Sequence, residues 1–443
     1  MNHINLIYSI FFISFLFLNS LFSQEQLELK GALSIENSNS ETPIAGTIRW
    51  NATSNDFEGY DGSIWRSLTA NSGVNGSTGT ISDYGVGLTI ENQKLFIAGA
   101  NGLDGFGSSV SSDSIWSVIG APYTNVNGQI AQGVAYVYKF EDNKWVIKDT
   151  LTGSDSQNYE SFGNSVAISG DRIVVGAKDS GISGKVYFYT RNGDQWIESQ
   201  KIFAPNSDDG QFGYKVDIDG NYAIISAYLA NVGPNIDQGR VYIYHYNGSF
   251  WEFQDDITAG DGVADDQFGS SVAIKGDLAV VSAEVKMVDG FTDRGAVYLF
   301  GRNGIIWEEL AFKPEPQVSN DYQNFGKSID FDGTSLLVCD AGYGDITGYF
   351  FSWNDGWFLS DVVIAPSNPD GGSGAFYQDR LMLFLSGFCW TNSGWKNNKL
   401  FSNGDGIFGN QESFCTSVEM TGNSIFVSNS YDGKVYVYLF KNK

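Results

Sequence analysis

The sequence predicts an all-β fold, a β-propeller of four-stranded antiparallel blades, on three observations. A unit of 50 to 57 residues recurs along the chain, each unit holds short apolar runs parted by two-residue glycine turns, and its third run is apolar on one side and aromatic on the other. Periods of that length belong to propeller blades rather than to helical solenoids. Composition agrees, because 32 Phe, 23 Tyr and 11 Trp favour strands while 53 Gly supply turns.

The first strand follows a leading Phe-Gly pair at Phe106, Phe162, Phe212, Phe268 and Phe325; a last copy starts at Phe414 and a degenerate one near Phe376, with Leu381 to Leu385 as its second run. After Phe162, Val166 and Ile168 alternate with smaller residues, Gly170-Asp171 forms a turn that tolerates positive φ, and Ile173 to Val175 returns as a buried second strand. The turn recurs at Gly220-Asn221, Gly276-Asp277, Asp332-Gly333 and Gly422-Asn423. A variable loop then leads to the third strand, Gly184 to Tyr189, matched by runs that begin at Gly133, Gly239, Gly295 and Gly433. Asn192-Gly193 followed by Trp196 reads as a hairpin turn and an outer fourth strand, and Trp251, Trp307 and Trp357 repeat it.

The third strand decides the packing. Val186 and Phe188 point one way, Tyr187 and Tyr189 the other, so both faces need cover. A sheet covered on both faces by copies of itself is a propeller blade, whereas a sandwich sheet shows one polar face. Seven blades are expected, with eight as the alternative. The expected segments are a signal peptide at 1–23, a short-stranded stretch at 24–70 and the propeller at 71–443. Because the last repeat ends after its third strand, Gly62 to Leu68 is the candidate for the missing fourth, and Tyr84 to Ala100 reads as a further two-strand copy.

These units resemble the FG-GAP repeat family, which is also found in the heads of integrin α chains and in many secreted bacterial proteins. The resemblance rests on the five Phe-Gly pairs and on Gly120-Ala121-Pro122, weakened to Gly176-Ala177, Ser226-Ala227 and Ser282-Ala283, and covers about Phe106 to Phe440. Gly46 to Trp50 with Asp56 to Leu68 resembles a short segment common near the start of exported Bacteroidetes proteins. In integrin-like members calcium sits in Asp-rich loops between strands one and two; those connections are two-residue turns here, so the resemblance does not carry those sites over.

Charge and residue usage limit the chemistry. With 51 acidic against 26 basic residues and a net charge of −25, nucleic acid is excluded as a partner, since phosphate binding needs clustered Lys and Arg. Ile4 to Phe22 is almost wholly apolar without a charged residue and reads as a secretory signal, implying a secreted or cell-surface protein with no transmembrane helix once it is removed. Cys339, Cys389 and Cys415 form an odd set without a disulfide framework. One histidine beyond the signal, His245, rules out a multi-histidine zinc site.

Carboxylates leave one enzymatic alternative, a carbohydrate-active enzyme with paired acids. Asp208, Asp209, Asp261, Asp265 and Asp266 precede Phe-Gly starts and are the candidate Ca²⁺ ligands. In an up-and-down blade the loops between strands two and three and those between successive blades emerge on one side, so one rim should be acidic. On it Tyr123, Tyr228, Asp237, Asp289, Asp293 and Tyr343 are the binding-loop candidates. The leading expectation is a non-catalytic binding or adhesion module for an extracellular protein or glycan.

Overall fold

The computed structural model describes residues 48–51, 56–60, 65–67, 93–96, 103–181, 183–316, 321–340, 346–365, 373–377, 380–385, 388–393, 397–401, 417–420, 424–429 and 433–439. The chain divides into two units, 1–87 and 88–443. In the first, Ile48–Asn51, Asp56–Tyr60 and Trp65–Ser67 form a three-stranded antiparallel sheet.

The second unit is built of four-stranded antiparallel blades in which consecutive strands pair in order. Blade I comprises Val110–Asp113, Trp116–Ala121, Val134–Glu141 and Lys144–Leu151. Blade II comprises Phe162–Ser169, Arg172–Ala177, Lys185–Asn192 and Gln195–Phe203. Blade III has Asp209–Asp219, Tyr222–Ala230, Arg240–Tyr246 and Trp251–Ile257, and blade IV has Val272–Lys275, Leu278–Ala283, Ala296–Asn303 and Ile306–Glu309. Blade V has Ser328–Phe331, Ser335–Cys339, Ile346–Trp353 and Trp357–Ala365.

These five consecutive blades are fewer than the seven or eight that the repeats predict. Two more sheets of the same pattern follow them. Sheet VI pairs Ser373–Tyr377, Arg380–Leu385, Phe388–Ser393 and Asn397–Phe401, where the degenerate copy is expected. Sheet VII joins Ser417–Met420, Ser424–Asn429 and Lys434–Leu439 to Gln93–Phe96. No eighth four-stranded sheet occurs among the described residues.

The outer strand of sheet VII corrects the sequence reading. Gly62 to Leu68 was the expected partner, but Trp65–Ser67 pairs locally with Asp56–Tyr60. Gln93–Phe96 lies against Lys434–Leu439 instead, with Leu95 opposite Val435, both buried. A hairpin partner a few residues away is entropically the cheaper one for Trp65–Ser67.

Alternation in the third strand explains the stacking. Tyr187 and Tyr189 share a core with Val118, Ala135 and Val137 of blade I, while Val186 and Phe188 share one with Val216 and Tyr242 of blade III. Each fully buried aromatic contributes about 1.5–3 kcal/mol by leaving water. The leading Phe meets the third-strand Tyr of its own blade edge-on, with ring centroids 5.7 Å apart for Phe106–Tyr136, 5.2 Å for Phe162–Tyr187, 5.6 Å for Phe212–Tyr242, 5.5 Å for Phe268–Tyr298 and 5.2 Å for Phe325–Tyr349. Such pairs add roughly 0.5–1.5 kcal/mol beyond burial.

The glycine after each Phe answers to the preceding blade. At Gly163 φ is +88°, and a β-carbon would lie 2.6 Å from the Val134 carbonyl oxygen of blade I. Only glycine accepts both the left-handed backbone and that approach.

Candidate functional site: the axial cavity and the loop rim

The first strands line a cavity of about 410 Å³. A first strand has a free edge whose N–H groups need acceptors, since buried unpaired donors are costly. Side chains of the preceding blade supply them. Ser109 Oγ accepts from the Val166 N–H at 3.0 Å and Ser111 Oγ from Ile168 at 3.2 Å. Ser165 and Ser169 accept from Val216 and Gly220, each at 3.0 Å. Asp217 and Asp219 accept from Ile274 at 2.8 Å and Gly276 at 2.9 Å, and Glu419 of sheet VII accepts from Ser112 of blade I at 3.2 Å. The acceptors stand three, five or seven positions after one leading Phe, and the donors four, six or eight after the next.

Burial pushes Asp217 up to about 6 and raises Glu419 well above the usual carboxylate range, with Asp330 adding repulsion at Glu419. Asp340, under the third strand of blade V, is also pushed up to about 6 by burial. A carboxyl raised on folding contributes stability that is complete below its unfolded value and is lost as pH rises through the folded one. The melting midpoint should therefore climb as pH is lowered from 7.5 to 5. Asp155 and Asp261 act oppositely: against their desolvation, Lys201, Tyr187 and Lys185 hold Asp155 low, and Tyr298, Lys286 and Lys313 hold Asp261 low. Their contribution disappears only at pH below the ordinary carboxylate range. Calorimetry across pH 3 to 8 checks this profile; a midpoint that falls steadily from pH 7.5 to 5 contradicts it.

The rim gathers the loops between strands two and three and the connections between blades. Backbone bonds join them: Tyr159 N–H donates to Ile130 O at 2.8 Å, Asp265 to Ile236 O at 2.9 Å and Tyr322 to Thr292 O at 2.7 Å. One position further along the loop, Gln267 donates to Asp237 O at 3.1 Å and Asn324 to Asp293 O at 2.8 Å. The loops of blades I, III and IV are thus each fastened to the start of the next blade.

The candidate metal ligands are dispersed. Asp208 is exposed and Asp209 buried, its carboxylate accepting from the Tyr242 hydroxyl at 2.5 Å and the Asn206 N–H at 2.8 Å. Asp261 and Asp266 do approach one another, around an ammonium: Lys286 Nζ lies 2.5 Å from Asp266 and 3.7 Å from Asp261. Blade II repeats this arrangement with Lys185 between Glu160, at 3.1 Å, and Asp155, at 3.5 Å. Asp265 points elsewhere, exposed at φ 66°. No group of three His, Cys, Asp or Glu suited to a metal occurs among the described residues. The internal lysines already neutralise the acids, so adding Ca²⁺ or chelator to the purified protein should leave its melting midpoint unchanged; a rise with Ca²⁺ would reveal a site.

The binding-loop candidates fare unevenly. Tyr123 is 52% exposed. Tyr228 stacks on Tyr214 at 3.9 Å and is half-buried. Asp289, Asp237 and Asp293 all hold left-handed conformations, at φ 53°, 52° and 50°, and Asp289 also pairs with the buried Arg294 at 2.5 Å. Tyr343 lies outside the described residues. His245 packs against Tyr222 at a tilt, 4.9 Å between ring centroids, beside Glu252, and Cys339 is a buried free thiol. The axial acceptors were missed by sequence reasoning, although the recurrence of Ser or an acid three, five and seven positions after Phe was the signal.

Stacked blades around a polar cavity, with a rim of fastened loops, define a β-propeller of the repeat-protein class. A family model described as FG-GAP repeat matches three consecutive repeats, at residues 145–189, 196–244 and 251–300. Each match starts at a fourth-strand Trp and ends on the third strand of the next blade, so the repeating unit spans the seam between blades. No curated protein matches the chain.

Proposed function

We propose that the seven four-stranded sheets close into one ring, and that this ring is an exported, non-catalytic binding module whose loop rim engages an extracellular protein or glycan. Closure is supported by the first strands, which neighbour one another from blade IV through sheets VI and VII back to blade I. A core that mixes Leu95, Phe426 and Val435 with Ile119 and Trp145 supports it too. Export rests on the apolar stretch from Ile4 to Phe22. No helix among the described residues is long and apolar enough to cross a membrane.

The binding reading is carried by the rim: its loops are hydrogen-bonded to the following blade, so they present exposed side chains without the ordering cost that weakens flexible surfaces. Screening the purified chain against extracellular proteins and glycans, with one variant carrying Tyr123→Ser and Ile130→Ser and a second carrying Ile236→Ser and Met287→Ser, tests it. A ligand whose affinity falls at least about fivefold in either variant is the expected result. Release of reducing ends from a polysaccharide, abolished by one carboxylate substitution, would favour the paired-acid hydrolase instead.

A further inference from the structure

We infer that the arc of rim over blades III to V docks a protein partner through a surface that is both cationic and apolar; this rests on the binding-module reading above and narrows it. The arc exposes large apolar side chains that no described residue covers: Ile236 is 63% exposed, Val263 52% and Met287 59%. Scattered single apolar residues are ordinary on a surface, but these lie on neighbouring segments of one rim and interleave with Asp237, Asp265 and Asp293.

Charge selects the occupant. None of those three aspartates has an ion-pair partner among the described residues; on the opposite rim Asp171 pairs with Arg191, Asp277 with Arg302, Asp219 with Lys275 and Asp194 with Lys139, while Asp142, Asp332 and Asp355 stand unpaired and apart from that apolar cluster. The rim's own cations are used internally, Lys286 by Asp266 and Arg294 by Asp289. An apolar face ringed by uncompensated negative charge complements Lys or Arg set among apolar residues and repels acidic partners. A neutral glycan would leave the charges unanswered.

The probe is a fluorescein-labelled peptide of alternating Lys and Leu, compared with its Glu-Leu and Lys-Ser counterparts by anisotropy on the full chain at 150 mM salt. The Lys-Leu peptide should bind at least about tenfold tighter than either counterpart. The triple substitution Asp237→Asn, Asp265→Asn, Asp293→Asn should weaken it about tenfold or more, and Ile236→Ser with Met287→Ser by about fivefold. The same charge change on the opposite rim, Asp142→Asn, Asp332→Asn, Asp355→Asn, should alter it less than about twofold. Asn keeps the left-handed conformations found at Asp237, Asp265, Asp293, Asp142 and Asp355.

Equal weakening by both triple variants would overturn the proposal, because net charge alone would then explain binding. Failure of the Lys-Leu peptide to bind would overturn it as well. If an uncharged glycan bound instead and lost affinity in the Ile236, Met287 variant, the binding module would stand and the cationic partner would fall.

Discussion

Gly239→Ala should abolish or severely weaken folding, whereas Gly248→Ala should cost about 1–2 kcal/mol, the ordinary penalty of an L-residue in a left-handed conformation. The two glycines share nearly the same backbone, φ +89° and +99°. They differ in surroundings. Around Gly248 a β-carbon would meet nothing within 4 Å, while at Gly239 it would collide with the backbone of Phe268, including its carbonyl oxygen and nitrogen. That backbone cannot retreat, since the Phe268 N–H donates to Gln238 O at 2.8 Å and its ring is fully buried. The added loss should be on the order of 3 kcal/mol or more. Thermal melts of both variants read the difference directly; equal midpoints would show that the seam between blades III and IV yields.

The second large effect is expected at the buried ammonium. Lys286→Met leaves Asp266, 2% exposed, without the cation 2.5 Å from its carboxylate. Breaking one partner of such a pair costs about 3–5 kcal/mol, because the remaining charge stays buried. Asp266 also accepts the Val263 N–H at 2.8 Å, a bond that an amide oxygen can keep. The double variant Lys286→Met, Asp266→Asn should therefore recover most of the loss. A single variant as stable as the parent, or a double variant no better than the single, would mean that the pair contributes little.

The strands that recur in every copy were legible because their signals are local. Alternation at Val166 and Ile168, the Gly170-Asp171 turn and the two-faced run Val186 to Tyr189 each declare a strand within a few residues, and the pairing register follows them. Gln93–Phe96 was not legible as the partner of Lys434–Leu439. Four residues with one described buried side chain, Leu95, carry no pattern, and the partner strand is more than three hundred residues away. The acidic stretches misled for a related reason. Asp209 and Asp266 read as candidate ligands, but the groups that satisfy them, the Tyr242 hydroxyl and the Lys286 ammonium, come from 33 and 20 residues further on. Only folding brings the answering group back.

Ring closure is most directly tested by cysteines at Lys94 and Tyr436, which stand opposite one another in sheet VII. Directly opposed residues in antiparallel strands bring their β-carbons to about 4.5–5.5 Å, close to the separation a disulfide needs. Peptide mapping of the oxidised protein should find the bond between positions 94 and 436 in the Lys94→Cys, Tyr436→Cys variant, and none to position 66 in Arg66→Cys, Tyr436→Cys. Efficient linkage from position 66, with none from position 94, would contradict closure by Gln93–Phe96.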